Sequence, residues 1–273
     1  MTFIEVCPIS PLAPYIGGKR QLSRHLVRRF ARVPHEVYAE PFVGMGGVFF
    51  RRSQRPRAEV INDRSRDVAT FFRVLQRHYE AFLDMLRWRL ASRADFERLM
   101  ATDPDTLTDL ERAARFLQLQ RLTFGGRVIG RSFGISKHRP GRFDIGKLRP
   151  MLEAAHDRLS GVLIECLDYA AFIERYDGPE TLFYLDPPYI GSEHFYGAGL
   201  FDPAAFVALC GQLQDIRGTF VVTVNDVREA RERFAWAAFE SLPVSYSVNA
   251  GNGVAARELI VMNRPELLEK REN

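Results

Sequence analysis

The stretch TLFYLDPPYIG, Thr181 to Gly191, decides how the rest of the chain is read. Its first five residues, Thr181 to Leu185, are apolar, aromatic or β-branched, which is the signature of a short buried strand. The strand delivers Asp186, Pro187, Pro188 and Tyr189 at its C-terminal end. In open α/β sheets that edge is where ligands bind. The residue types suit a particular chemistry. An amino group on an aromatic ring is a poor nucleophile, because its lone pair is delocalised. Two acceptors set against its two N–H bonds localise the pair. The Asp186 carboxylate and the Pro187 carbonyl can be those acceptors, and proline brings no competing backbone N–H. Tyr189 offers a flat face on which an extruded base can stack. The plain alternative is a strand-ending turn, since Asp-Pro and Pro-Pro both mark turns.

Upstream, EPFVGMGGVFF begins at Glu40, after one predicted strand and before a predicted helix. Gly44 and Gly46 lie in the turn, where glycine allows positive φ and close approach of a ligand to the backbone. The next strand ends in Asp63, within VINDRS, roughly 20 residues further on, where an acid can accept both hydroxyls of a ribose. Phe49 stands where a dinucleotide fingerprint wants a third small residue, and no Gly-Lys-Ser/Thr follows to make a P-loop. A ligand with a ribose but no pyrophosphate fits better, and S-adenosylmethionine is one. A bare glycine turn between strand and helix is the alternative.

Strands are expected at Glu36 to Ala39, Glu59 to Asn62, Val162 to Cys166, Thr181 to Leu185, Thr219 to Val224 and Glu258 to Met262. Helical periodicity fills Arg20 to Arg32, Arg64 to Trp88 and Pro203 to Gln214. Strands alternating with helices imply an α/β fold with a largely parallel sheet. Phe239 to Val248 and Glu258 to Met262 flank a Gly-Asn-Gly turn and read as an antiparallel hairpin at the sheet edge. Residues 91–149 break the alternation: a charged helical half, then a glycine- and arginine-rich half of loops and a hairpin. The organisation expected is a catalytic domain from 1–90 and 150–273, with 91–149 as an insertion.

The chain has 273 residues and a formal charge of +4. Ten basic residues fall between Arg112 and Arg149, with Asp144 the only acid among them. This is either the footprint of a polyanion-binding surface or an ordinary solvated face. No apolar run reaches the roughly 20 residues that span a bilayer, and the N-terminus lacks the pattern of an export signal. Cys7, Cys166 and Cys210 are far apart, which predicts neither a disulfide framework nor a zinc site and fits a reducing cytosol.

With these residues in view, the chain resembles the Dam-type, alpha-class (D12-class) adenine DNA methyltransferases. The resemblance rests on YIGGK (Tyr15 to Lys19), FVGMG (Phe42 to Gly46), the basic insert and DPPY (Asp186 to Tyr189), in that order. It implies a Rossmann-like methyltransferase sheet with a C-terminal antiparallel hairpin and an inserted, mainly helical target-recognition subdomain. It implies transfer of a methyl group from S-adenosylmethionine to the 6-amino group of adenine in double-stranded DNA after base flipping, in a cytoplasm of bacterial or phage origin and without a metal. Tyr15, Gly17, Gly18 and Lys19 would line the cofactor site, Phe42, Gly44 and Gly46 would wrap its methionine part, and Asp63 would hold its ribose. Asp168 would accept the amino group of the cofactor's adenine, with Tyr169 adjacent. Asp63 and Asp168 are equally placed to cap helices, and Lys19 to be a solvated helix-start lysine. Arg127, Arg131, Lys137, Arg139 and Arg142 are the candidate DNA contacts. Members that read GATC carry Tyr-Asn-Gly where this chain has Phe124, Gly125 and Gly126, so a different target is expected. Methylation of an RNA base, of the cytosine 4-amino group or of a protein amide, and an inactive DNA-binding relative, are the competing readings.

Overall fold

The computed structural model describes residues 3–134, 141–191, 201–246 and 254–268. Lys137, Arg139, the Gly-Asn-Gly turn and the last residues of the chain lie outside them. Seven strands form the main sheet: β2 (Val37–Glu40), β4 (Ala58–Asn62), β5 (Leu163–Glu165), β6 (Thr181–Leu185), β7 (Thr219–Asn225), β8 (Ala238–Tyr246) and β9 (Val254–Met262). Their order is β5-β4-β2-β6-β7-β9-β8. The first five are parallel, and β9 lies antiparallel to both β7 and β8. Two further short strands, β1 (Ile4–Glu5) and β3 (Gln54–Arg55), pair by themselves.

Both faces of the central sheet are covered, which is why β6 and β7 read as buried, largely apolar runs rather than alternating ones. Successive side chains go to opposite faces. Leu182, Tyr184, Val221 and Ile260 join one core, with Leu26 and Phe30 of α1 (Ser23–Phe30) and Phe71 and Phe72 of α2 (Arg66–Arg77). Phe183, Leu185, Val222 and Val261 join the other, with Phe172 of α7 (Tyr169–Tyr176), Leu209 of α8 (Pro203–Gln214) and the neighbourhood of α9 (Arg228–Arg233). Truncating a fully buried ring such as Phe183 to alanine should cost about 3–5 kcal/mol.

The expected helix from Arg64 to Trp88 is two helices. His78, at φ −129° and ψ 36°, separates α2 from α3 (Tyr79–Arg87). The break turns both aromatic faces into one core, where Phe71 stands 6.0 Å from Phe82 and 5.7 Å from Phe116, ring centre to ring centre. Phe116 belongs to α5 (Asp109–Leu122), which follows α4 (Arg93–Ala101). A Thr108–Glu111 capping box starts α5. After α5 the chain closes a loop through a lone antiparallel bridge between Thr123 and Phe133, then enters α6 (Ile145–Arg158).

The basic run is less uniform than its sequence suggests. Arg112 and Arg115 are buried on α5, and Asp67 of α2 faces both, at 2.6 and 3.9 Å. Asp105 adds a second partner for Arg112 at 2.7 Å. Counting only nearby acids missed these two, which fold brings in from elsewhere. Arg112 and Arg115 therefore support the fold and give no charge to an outer surface.

Candidate active site

Asp186 sits where β6 ends, with Pro187 and Pro188 buried behind it. Lys19 Nζ stands 2.7 Å from its Oδ1, and the Thr223 hydroxyl on β7 donates to the same oxygen at 2.9 Å. Among the described residues no group donates to Oδ2. Thr223 is itself in hydrogen-bond contact with the Tyr184 hydroxyl at 3.0 Å, so the carboxylate is fixed from the sheet side. Lys19 also donates to the Gly17 carbonyl at 2.8 Å and lies 4.8 Å from the centre of the Tyr189 ring, a cation–π distance. Glu258 of β9 approaches Lys19 to 4.0 Å. Burial pushes the Asp186 carboxyl up to about 6 and nearby Glu258 adds to it, while Lys19 and Thr223 hold it down.

The glycine loop forms as its sequence demands. Gly44 and Gly46 take φ of +51° and +69°. A Cβ on Gly46 would meet the Phe50 ring at 2.5 Å, and one on Gly44 the Tyr15 ring at 3.0 Å. Asp63 anchors the loop from the end of β4. Its Oδ2 accepts from the Gly44 N–H at 2.9 Å and its Oδ1 from the Ser65 N–H at 2.9 Å. Burial raises the Asp63 carboxyl to about 6, against the lowering effect of those two bonds.

Loop, YIGGK segment and DPPY surround one cavity of about 670 Å³, a size in the range of small-ligand sites. Tyr15, Gly17, Gly18, Lys19, Phe42, Gly44, Asp63, Asp186 and Pro188 line it. Gly46, Pro187, Tyr189, Asp168 and Tyr169 do not stand on its wall. Gly46 shapes the turn. Asp168 caps α7, accepting from the Ala170 N–H at 3.0 Å, and pairs with Arg64. Tyr169 stacks on Phe42 at 5.7 Å and donates to the Ala205 carbonyl at 2.9 Å, which makes it a support for a wall residue.

Several cavity and site groups escaped the sequence reading. Glu40, 2 % exposed, lines the cavity and accepts from the Tyr38 hydroxyl at 2.6 Å. Burial pushes its carboxyl up to about 8. Arg20 and Arg51 line the cavity as well. Thr223 and Glu258 are polar residues inside otherwise apolar strands, and that interruption was the available signal.

The insert reaches the same cavity. Gly125 and Val128 line it, and so does Arg121, whose guanidinium donates to the Leu12 carbonyl at 2.9 Å and to the Arg142 carbonyl at 2.9 and 2.7 Å. The Ile16 N–H donates to the Gly126 carbonyl at 3.0 Å, and Gln120 bridges the Pro14 and Gly126 carbonyls at 2.8 and 2.7 Å. A Cβ on Gly126 would stand 2.8 Å from the Pro14 carbonyl carbon. Arg131 is held by the Arg127 carbonyl and by Gln120 Oε1, at 3.2 and 3.1 Å. Arg127 is half-buried and Arg142 exposed.

A model of the D12 class N6 adenine-specific DNA methyltransferases matches residues 15–247. The type II methyltransferase M1.LlaDCHI of Lactococcus lactis subsp. cremoris is 25 % identical over 235 residues, 80 % of this chain and 81 % of that one. M.MjaIII of Methanocaldococcus jannaschii, also a type II methyltransferase, is 24 % identical over 201 residues, 66 % of this chain and 69 % of its own. Among solved structures, precorrin 8W decarboxylase of Methanobacterium thermoautotrophicum aligns with a TM-score of 0.41 and 12 % identity, over 95 % of this chain and all of that one, too distant a likeness to argue from. The sheet, the glycine loop and DPPY meet at one cavity inside the matched span, and the chain belongs to the D12 class of N6 adenine-specific DNA methyltransferases.

Proposed function

We propose that Asp186 carries the methylation of adenine in DNA by this chain, with S-adenosylmethionine held between the glycine loop and YIGGK. The supporting observation is the asymmetry of Asp186. Oδ1 is saturated by Lys19 and Thr223, and Oδ2 is left for an incoming N–H. Residues 91–149 act as the target-recognition insertion in this reading, and double-stranded DNA is the substrate.

The cavity fits the cofactor. It has the volume of a nucleoside-sized ligand, a glycine, Gly44, whose added side chain would press on the Tyr15 ring of its wall, and the carboxyls of Asp63 and Asp186 to receive hydroxyls and positive charge. S-adenosylmethionine supplies a methyl group already activated on a positively charged sulfur. Position and electrostatics are what the protein adds. Tyr15, Gly17, Gly18 and Lys19 form one wall, Phe42 and Gly44 the other, and Asp63 receives the ribose. Asp168 and Tyr169 brace the adenine end, Asp168 through the start of α7 and Tyr169 through Phe42. At the target, Asp186 Oδ2 accepts one N–H of the adenine amine and the Pro187 carbonyl accepts the other. Tyr189 stacks on the extruded ring. As the nitrogen gains the methyl group it must lose a proton, and Asp186 is the base in place to take it.

The recognition sequence is short or relaxed and differs from GATC, because Phe124-Gly125-Gly126 has no amide side chain with which to read a base edge. The test is methyl transfer to plasmid DNA from a strain without endogenous methylation, followed by sequencing that detects modified bases. N6-methyladenine at one short motif is the expected result. Methylation confined to GATC would refute the specificity, and modification of cytosine or of RNA alone would refute the substrate.

A further inference from the structure

The cations around the cavity fall into two groups. Lys19 is paired with Asp186, Arg64 with Asp168, and Arg121 spends its guanidinium on backbone carbonyls. Arg20 and Arg51 differ. Both line the cavity, and among the described residues neither meets a carboxylate. Arg51 follows the glycine loop by one turn and folds back so that Nη1 donates to the Gly47 carbonyl. Gly47 in turn lies against YIGGK, since a Cβ there would stand 3.6 Å from the Lys19 backbone nitrogen. Arg51 is half-buried, and burial together with the nearby Arg20 holds its guanidinium below the usual arginine range. Two guanidiniums beside one cavity, with no carboxylate paired to either among the described residues, form a site for a ligand anion.

The loop has a direction. Gly44 is tied to Asp63 at one end, and Gly47 with Arg51 forms the other. A ribose received at Asp63 leaves the amino-acid arm of the cofactor to run toward Gly47. That arm ends in the cofactor's only carboxylate. We infer that Arg51, assisted by Arg20, binds the methionine carboxylate of S-adenosylmethionine, a role that rests on the cofactor assignment above. The competing anion is a DNA phosphate. Arg51 is the poorer candidate for it, because its guanidinium is held against the turn of the loop rather than projected from the surface.

The test uses the full-length protein and two cofactor products in calorimetry without DNA. S-adenosylhomocysteine carries the carboxylate, and methylthioadenosine keeps the nucleoside and sulfur but lacks the amino-acid arm. In Arg51→Met, which keeps an unbranched stem, affinity for S-adenosylhomocysteine should fall about 10- to 100-fold. Affinity for methylthioadenosine should stay within about twofold of wild type, a difference well below one charged hydrogen bond. Arg20→Met should give a smaller loss of the same kind. An equal fall for both ligands would make Arg51 a general support of the pocket and overturn the assignment. Unchanged binding of both would overturn it too. If DNA affinity then fell, with a salt slope lower by about one, the anion would be a phosphate. Failure of the wild-type protein to bind either ligand would instead defeat the cofactor assignment itself.

Discussion

Lys19 Nζ and the Thr223 hydroxyl converge on a single oxygen of Asp186, at 2.7 and 2.9 Å. The lysine thus belongs to the proposed catalytic carboxylate as much as to the cavity wall. An acceptor of the amine must be ionised, and burial pushes the Asp186 carboxyl up to about 6 while Lys19 lowers it. Turnover of the wild-type enzyme at saturating substrates should therefore fall roughly tenfold per pH unit below that value. Removing the lysine takes away a lowering influence, so in Lys19→Met the acid limb should move to higher pH and turnover should recover between neutral and alkaline pH. A pH–kcat profile whose acid limb stays in place would show that Lys19 does not tune Asp186.

Asp186→Asn removes the charge but keeps the shape. Transfer to DNA should drop by at least about 10²–10³-fold, the usual cost of one preorganised electrostatic partner. S-adenosylhomocysteine affinity should change only severalfold. Turnover within tenfold of wild type would remove Asp186 from its role.

Asp63→Ala has two effects at once. It deletes the proposed ribose acceptor and leaves the Gly44 N–H without its present partner. Binding of S-adenosylhomocysteine should weaken by about 1.5–3 kcal/mol. Calorimetry giving an unchanged dissociation constant would rule the ribose role out.

Glu40 gives a stability prediction. Its folded-state value, about 8, lies above the ordinary 4.5. The contribution of the neutral carboxyl is complete below about 4.5 and is lost as pH rises through about 8. Its share of the decline should reach about 1.4 kcal/mol per pH unit within that window. Urea unfolding of Glu40→Gln should show a flatter dependence across the window. Parallel curves for variant and wild type would contradict the burial argument.

The arginines of the insert should separate by their restraints. Arg142 is exposed, and its replacement by alanine should weaken DNA binding evenly across sequences and lower the salt slope by about one. Arg131 is tied to Gln120 and Arg127, so Arg131→Ala should also loosen the loop and relax the methylation motif. Band-shift assays over a salt series, with sequencing of the methylated sites, measure both.

The parallel strands were legible because each carries a short apolar, aromatic or β-branched run, whereas the two-residue β1 and β3 are too short for any period to show. β6 and the start of α8, with Pro203 behind the capping Asp202, match the reading closely. The glycine loop was legible because two positive φ values admit few other residues. The break at His78 was not, since a helical period runs through it and only packing against α5 favours the bend. The Lys19–Asp186 pair, the burial of Arg112 and Arg115 against Asp67 and the part of Thr223 depend on partners distant in the chain. No local pattern announces them. Asp168 illustrates a residue whose two readings look alike in sequence. The structure uses its carboxylate for a helix cap and an arginine.

The stitching of Gly126 to Ile16, with Gln120 clasping both Pro14 and Gly126, joins the loop proposed to face DNA to the wall proposed to hold the cofactor. A ligand that settles Tyr15 to Lys19 thereby settles the loop, and a DNA duplex that orders the loop reaches back to the wall. The expected consequence is cooperative binding of the two proposed substrates, with thermodynamic reciprocity making the help mutual. Occupancy by one product would hold the enzyme in a grip on the other, so that movement along DNA between rounds of transfer is governed by exchange at the small-molecule site.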